Sequence, residues 1–165
     1  MDNKHWYSLY VRSHHEKKVH KLLQEKDIKS SLPLVKTIRI WSDRKKKVEV
    51  PLFKGYVFVY IDIQKDKYKV LKIDGVIKFI SINKEPSPVP SQQMHWLKIM
   101  VKELDMIQLE KNIPVGKKVR VIMGPFKGIE GVVARSGNQS KLVVMVESIM
   151  QAVSVYIKPE YLEKI

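Results

Sequence analysis

Apolar and polar positions change period several times along this chain, and each change marks an element. "HWYSLYVR" (5–12) alternates around Trp6, Ser8 and Tyr10, the period of two expected of a strand. "SHHE" (13–16) follows, and Ser13 with Glu16 three residues on has the form of a capping box, which predicts a helix start. Val19, Leu22 and Leu23 fall on one face of that helix, Lys17, Lys18, Lys21 and Glu25 lie elsewhere, and the helix should fade near Asp27. "SLPLVKTIRIWSDRKKKVEVP" (31–51) predicts two strands joined by a turn at Ser42-Asp43, with Arg44, Lys45, Lys46 and Lys47 at the tip or the start of the return strand. The run from Gly55 to Ile61 lacks polar side chains and predicts a central strand buried on both faces. "QKDKYKVLKIDG" (64–75) predicts a short helix carrying Tyr68, Leu71 and Ile73, with Gly75 beyond its end. A strand "VIKFISI" (76–82), a Pro-rich loop "NKEPSPVP" (83–90) and a helix with Met94, Leu97, Val101 and Leu104 on one side complete this part.

The resulting order, β-α-β-β-β-α-β-α, predicts an α+β fold of about 100 residues: a mostly antiparallel sheet with flanking helices. After Leu104 the pattern loosens, and "DMIQLEKNIPV" (105–115) reads as a linker. Beyond it come short Val-rich strands, "KKVRVIM" (117–123), "IEGVVAR" (129–135), "KLVVMVE" (141–147) and "AVSVYI" (152–157), punctuated by Gly124-Pro125, Gly128 and Gly137-Asn138. Such spacing predicts a small SH3-like barrel. The expected division is therefore 1–104, a linker at 105–113, and a barrel at 114–165.

Composition narrows the function. The chain of 165 residues carries 31 Lys+Arg against 17 Asp+Glu, a formal net charge of +14, which argues for a polyanionic partner. Nucleic acid is the first candidate. An anionic membrane surface is the second, but the pattern holds no strongly amphipathic helix with a Trp/Phe/Leu face, and no apolar run approaches the ~20 residues of a membrane span. The N-terminal stretch lacks the form of a signal peptide. With no cysteine there are no disulfides or thiolate metal sites, which fits a reducing cytoplasm. His14, His15 and His20 have no carboxylate at a convincing ligand spacing, so no metal is expected.

"VGKKVRVIMGPFKGIEGVVAR" (115–135) resembles the KOW motif of transcription elongation factors and some ribosomal proteins: a strand, a Gly-Pro-Phe-Lys-Gly turn, then Gly131 entering the next strand. Before it, "WYSLYVR…HHEKKV" and "VPLFKGYVFVYI" resemble the N-terminal domain of the bacterial NusG family. The likeness covers nearly the whole chain in the family's order. The family's aromatic motif usually reads Phe-Pro-Gly-Tyr; here it reads Phe53-Lys54-Gly55-Tyr56. With the high positive charge, that departure resembles the specialised paralogues, such as RfaH and the antiterminators of polysaccharide operons.

The resemblance implies a non-enzymatic elongation and antitermination factor without cofactors, cytoplasmic and monomeric. Its N-terminal domain would take the tip of the β′ clamp helices of RNA polymerase in an apolar pocket at Tyr10, Phe53, Tyr56, Phe58, Met94 and Leu97. Aromatic side chains give such a contact large area at small entropy cost, although a core role for the same residues is the competing reading. A second surface, Arg12, His14, His15, Lys17 and Lys18 with Lys69 and Lys72, would face upstream DNA and the single non-template strand. Arg44, Lys45, Lys46 and Lys47 read either as a third contact, reaching the nucleic-acid scaffold from a hairpin tip, or as a solvated turn. The segment 66–69 aligns with a region that touches the β gate loop in some relatives, without matching their motif. In the barrel, Phe126 and Met150 match positions that bind ribosomal protein S10 or the termination factor Rho. The density of β-branched residues in "KLVVMVESIMQAVSVYI" predicts that this domain is permanently β.

The alternative function is a ribosome-associated RNA-binding KOW protein, on which the pocket aromatics would have no purpose. An enzyme is disfavoured: there is no phosphate-binding Gly loop, no cysteine nucleophile and no defensible Ser/His/Asp arrangement.

Overall fold

The structure is a computed structural model that describes residues 2–102, 107–110, 116–136 and 138–165. It divides into two compact units, Met1–Met94 and His95–Ile165. The division falls inside the third helix rather than in the expected linker.

The first unit is built on strand β1 (His5–Val11), which pairs antiparallel with β5 (Tyr56–Ile61) on one side and β6 (Val76–Phe79) on the other. A two-residue strand β2 (Ser30–Ser31) extends the sheet beyond β5, in the order β2-β5-β1-β6. Between β1 and β2 lies helix α1 (Glu16–Glu25), and between β5 and β6 lies α2 (Ile63–Leu71). Among the described residues, strands β3 (Leu34–Ile40) and β4 (Lys45–Pro51) form a two-stranded ribbon, from Leu34 opposite Pro51 to Ile40 opposite Lys45. The turn is where the sequence puts it, closed by hydrogen bonds between the backbones of Trp41 and Arg44.

Period two decides what each sheet face does. On one face Tyr7, Leu9 and Val11 of β1 meet Val57, Val59 and Ile61 of β5, packed with Val19 and Leu23 of α1, Val70 of α2, Ile28, Ile73 and Phe79. The other face carries Trp6, Ser8 and Tyr10 against Tyr60, Phe58 and Tyr56. The central strand is thus buried at Val57, Phe58, Val59 and Ile61, while Tyr56 and Tyr60 keep some solvent contact.

Three local readings change. His15, not Ser13, is the N-cap of α1, and no side chain caps it. Glu16 is therefore the first helical residue and turns inward instead of reaching back to a cap. In α2 the buried residue is Val70, while Tyr68 is 71% exposed; Asp62, unforeseen, caps the helix by accepting from the Gln64 amide at 3.0 Å. The predicted strand 76–82 breaks after Phe79, its end forming β7 (Ser81–Ile82), which hairpins to β8 (Glu85–Pro86) in the Pro-rich loop; β9 (Pro88–Val89) follows, with Val89 buried opposite Trp6 on β1. Helix α3 (Ser91–Lys102) follows, with Met94, Leu97 and Met100 buried and Val101 partly exposed; Leu104 lies outside the described residues.

The second unit is all antiparallel. Its sheet runs β10 (Ile107–Glu110), β14 (Gln151–Ile157), β13 (Gln139–Val146), β12 (Glu130–Ser136), β11 (Lys117–Val121), β15 (Leu162–Lys164). The four strands expected of a KOW barrel are β11 to β14. Residues 107–110, read from sequence as linker, instead form β10, because Ile107 is buried and Glu110 finds partners on β14 and β13. The rest of the expected linker, 105–106 and 111–113, lies outside the described residues. Gly131 is required on β12: a Cβ there would press on the carbonyl oxygen of Val143.

Candidate functional site

The Phe53-Lys54-Gly55-Tyr56 turn delivers the chain into β5, and its geometry follows from Gly55. Gly55 has φ +85°, a conformation that L side chains rarely adopt, and a Cβ there would sit 3.2 Å from Cε2 of Tyr10. The turn is closed by the Tyr56 amide donating to the Phe53 carbonyl at 3.2 Å. The Gly55 carbonyl accepts from the Val11 amide at 2.9 Å, and the Gly55 amide donates to the Glu16 carboxylate at 2.8 Å. One residue thus ties together β1, α1 and the turn.

These ties align an aromatic row on the second face of the sheet. Tyr10 and Tyr56 are register partners with ring centroids 5.7 Å apart. Next along is Phe58, whose ring meets Phe53 edge-on at 6.2 Å. Trp6 and Tyr60 follow at 5.3 Å, with the Lys29 ammonium 5.2 Å from the Tyr60 centroid. Of the six residues expected at the polymerase pocket, Tyr10 is 38% exposed and Tyr56 half-buried. Phe53, Phe58, Met94 and Leu97 are buried, at 1% exposure or less. The accessible part is thus a Tyr10/Tyr56 pair, with Phe53 and Phe58 beneath the surface rather than at a rim.

The basic residues gather at the mouth of α1. Arg12 and His14 are exposed, and His14 takes φ 62°, which turns the chain sharply into the helix. The His15 ring nitrogen Nδ1 lies 3.0 Å from the Ser13 carbonyl oxygen. Lys18 forms an ion pair with Asp74 at 2.6 Å, and Lys17 donates to the Glu49 carbonyl at 2.6 Å. Asp74, which the sequence did not single out, holds its proton less tightly than an ordinary carboxyl. The Lys18 hydrogen bond and charge are the main causes, with Arg12 and His15 adding to them. Lys18 is the side chain that pairs with this carboxylate, and the charges of Arg12 and His15 act on it more weakly. Lys69 and Lys72 are exposed at the end of α2, and Asp74 follows them two residues on.

The third basic group lies on the β3–β4 hairpin, where residues 36–47 are all exposed. Arg44, Lys45, Lys46 and Lys47 sit at the turn and on the first residues of β4. Trp41, not among the sequence candidates, is at the tip, with Arg44 5.1 Å and Lys46 6.0 Å from its ring centroid. An exposed Trp between two strands of a charge-rich ribbon is the signal that would have found it.

In the second unit the Gly124–Gly128 turn closes on itself: the Gly128 amide donates to the Val121 carbonyl at 2.8 Å, and the Ile129 amide to that of Phe126. This folds Phe126 inward to 2% exposure, so the aromatic expected at an exposed loop is a core residue. Met150 is 69% exposed and has φ 52°. Among the described residues no group of three or more His, Asp or Glu side chains is placed to hold a metal ion, and no helix is long and apolar enough to cross a membrane.

With this geometry in hand, the sequence pattern of the family described as "Transcription termination factor nusG" matches residues 4–98, more than half of the chain. The chain belongs to the NusG family. It is similar to the protein named Transcription termination/antitermination protein NusG of Borreliella burgdorferi, at 25% identity over 97% of this chain and 98% of that one. The protein of the same name from Neisseria meningitidis serogroup B is 26% identical, over 99% of both chains. A solved structure described as "Domain interaction in Thermotoga maritima NusG" aligns with a TM-score of 0.55 and 26% identity, covering 98% of this chain and 97% of that one. The NusG match includes the aromatic row, the mouth of α1 and the hairpin. The KOW-type turn lies outside the matched residues.

Proposed function

We propose that the chain is a transcription elongation and antitermination factor that binds RNA polymerase through its first unit. The observation that carries this reading is the Tyr10/Tyr56 pair, solvent-accessible, positioned by Gly55 and in the same aromatic row as buried Phe58, within residues matched to the NusG family. Two rigid aromatic rings are suited to a protein hot spot. The partner surface is the tip of the β′ clamp helices. Segment 66–69 of α2 is the candidate contact to the opposite wall of the polymerase, the gate loop.

Nucleic acid lies beside it. Arg12, His14, His15, Lys17, Lys18, Lys69 and Lys72 face upstream DNA and the non-template strand, with Arg44, Lys45, Lys46 and Lys47 as a further contact. Phosphate would replace Asp74 as the partner of Lys18, so this binding should weaken with salt. The second unit recruits a further factor, ribosomal protein S10 or Rho, at the exposed loop bearing Met150, while Phe126 supports that loop from within. The factor acts as a cytoplasmic monomer of the specialised kind, and the Lys54 substitution in the aromatic motif together with the +14 charge supports that assignment.

The test is a pull-down of core RNA polymerase by wild type and by Tyr10→Ala/Tyr56→Ala. Both side chains have solvent contact, so the double variant should fold and lose most of the polymerase. A folded double variant with undiminished binding refutes the assignment.

A further inference from the structure

Among the described residues, the β3–β4 hairpin is tied to the rest of the first unit near its root. The Leu52 amide donates to the Pro33 carbonyl at 2.9 Å, and Lys17 reaches the Glu49 carbonyl. From root to tip, seven paired residues on each strand extend about 20 Å at the usual strand rise. A two-stranded ribbon is at best marginally stable alone, and one with no core of its own gains nothing from apolar residues near its tip. Yet Ile38 is 57% exposed, Ile40 73% and Trp41 44%. These three sit among Arg39, Arg44, Lys45, Lys46 and Lys47, with Asp43 the one acid near the tip. Phosphate contact alone explains the cations and leaves the indole without a purpose.

We infer that the hairpin tip is a stacking site for an unpaired base of single-stranded DNA, with Trp41 as the platform and Arg44 and Lys46 as its phosphate clamps. The inference rests on the reading of this chain as a factor that faces the transcription bubble. Charge complementarity selects a polyanion, and the exposed indole selects one whose bases are open, because a duplex hides its base faces in its own stack. Sequence-tolerant single-strand sites combine these two features. Arg44 and Lys46 already lie over the ring, but an exposed cation–π contact is weaker than base–aromatic stacking, so a base displaces a cation at little loss. The displaced cation is then beside the phosphate of the nucleotide that replaced it. Ile38 and Ile40, alternate residues on one face of β3, extend the apolar track from the tip toward the root.

The experiment titrates the full chain with an oligothymidylate of about 12 nucleotides and with a duplex of equal phosphate number, reading anisotropy and tryptophan fluorescence. Trp41→Ala should weaken single-strand binding about fivefold or more and leave duplex binding within about twofold, and Trp41→Phe should restore most of the loss. Most of the quenching of tryptophan emission by the single strand should be lost in Trp41→Phe, because of the other two tryptophans Trp6 is buried and Trp96 half-buried. Equal weakening on both nucleic acids, or no weakening on either, overturns the stacking site. Arg44→Ser/Lys46→Ser separates the two ideas. If that variant binds poorly while Trp41→Ala binds normally, stacking fails and the nucleic-acid reading stands. If neither variant loses affinity, the hairpin does not contact nucleic acid at all.

Discussion

The carboxylate of Glu16, itself 5% exposed, accepts the backbone amide of Gly55 at 2.8 Å. This bond joins the first turn of α1, where the basic residues gather, to the turn that presents Tyr56. Glu16→Ala leaves the Gly55 amide without its partner and should destabilise the first unit by about 1–3 kcal/mol. Glu16→Gln keeps an acceptor at the same reach and should lose less. Chemical denaturation of the three proteins decides it, and an alanine variant as stable as wild type would show that the bond contributes nothing.

Gly55 makes a second prediction. Its φ of +85° costs an L residue roughly 1–2 kcal/mol, and the added Cβ presses on the Tyr10 ring from 3.2 Å. Gly55→Ala should therefore lower stability and also weaken polymerase capture through displacement of Tyr10. Lys54→Pro, the change toward the usual family motif, should do neither by the same route, since Lys54 is exposed and its neighbours carry the contacts.

The second unit should depend on pH through Glu110. Its carboxyl is held below the usual glutamate range, first by the Ser154 hydroxyl and then by Lys141, against an opposing effect of burial. A carboxyl with a depressed folded-state pKa adds stability that is present above its unfolded pKa and is lost as pH falls through the folded one. Wild type should thus exceed Glu110→Gln in stability at neutral pH, by about 1–3 kcal/mol for hydrogen bonds to a charged group. The gap should close below the ordinary glutamate range. A gap that stays constant with pH would assign the effect to packing.

Phe126 and Met150 should separate by phenotype. Phe126→Ala removes a buried aromatic, which costs about 3–5 kcal/mol and should show as lost folding of the second unit by circular dichroism. Met150→Ala leaves folding unchanged and should reduce binding of the recruited factor. A spectrum of residues 108–165 showing mainly helix would contradict the β architecture of this unit.

Salt offers a direct check on the α1 surface. Removing Arg12, Lys17 and Lys18 together should flatten the plot of log affinity for single-stranded DNA against log salt by about 0.7 per lost phosphate contact. An unchanged slope would move the contact elsewhere.

Much of the architecture was legible because periodicity reports burial. β1, α1, the hairpin turn at Ser42-Asp43 and strands β11 to β14 all follow from where Val, Ile, Leu and aromatic residues recur. The misses have a common cause: they turn on long-range partners. Ser13 and Glu16 fit a capping box locally, but Gly55, far along the chain, takes the carboxylate. Residues 107–110 look like linker until β14 is available to pair with them. Phe126 reads as a loop residue because Gly124 and Gly128 flank it, and only the closed turn sends it inward. Phe53 and Phe58 could be core or contact by sequence; their full burial is a three-dimensional property.

The two faces of the β1–β5 pair carry a last consequence. Odd-numbered residues, Tyr7, Leu9, Val11, Val57, Val59 and Ile61, form the core face; the even-numbered ones, Ser8 apart, form the aromatic row. If the proposed contact holds, folding and recognition are written on the same two strands in alternating letters. Substitutions at the solvent-facing even positions, Tyr10 and Tyr56, should then retune the partner while the odd text stays intact. An insertion or deletion of one residue in either strand exchanges the two texts and corrupts both. This part of the chain should tolerate change by substitution and almost none by length.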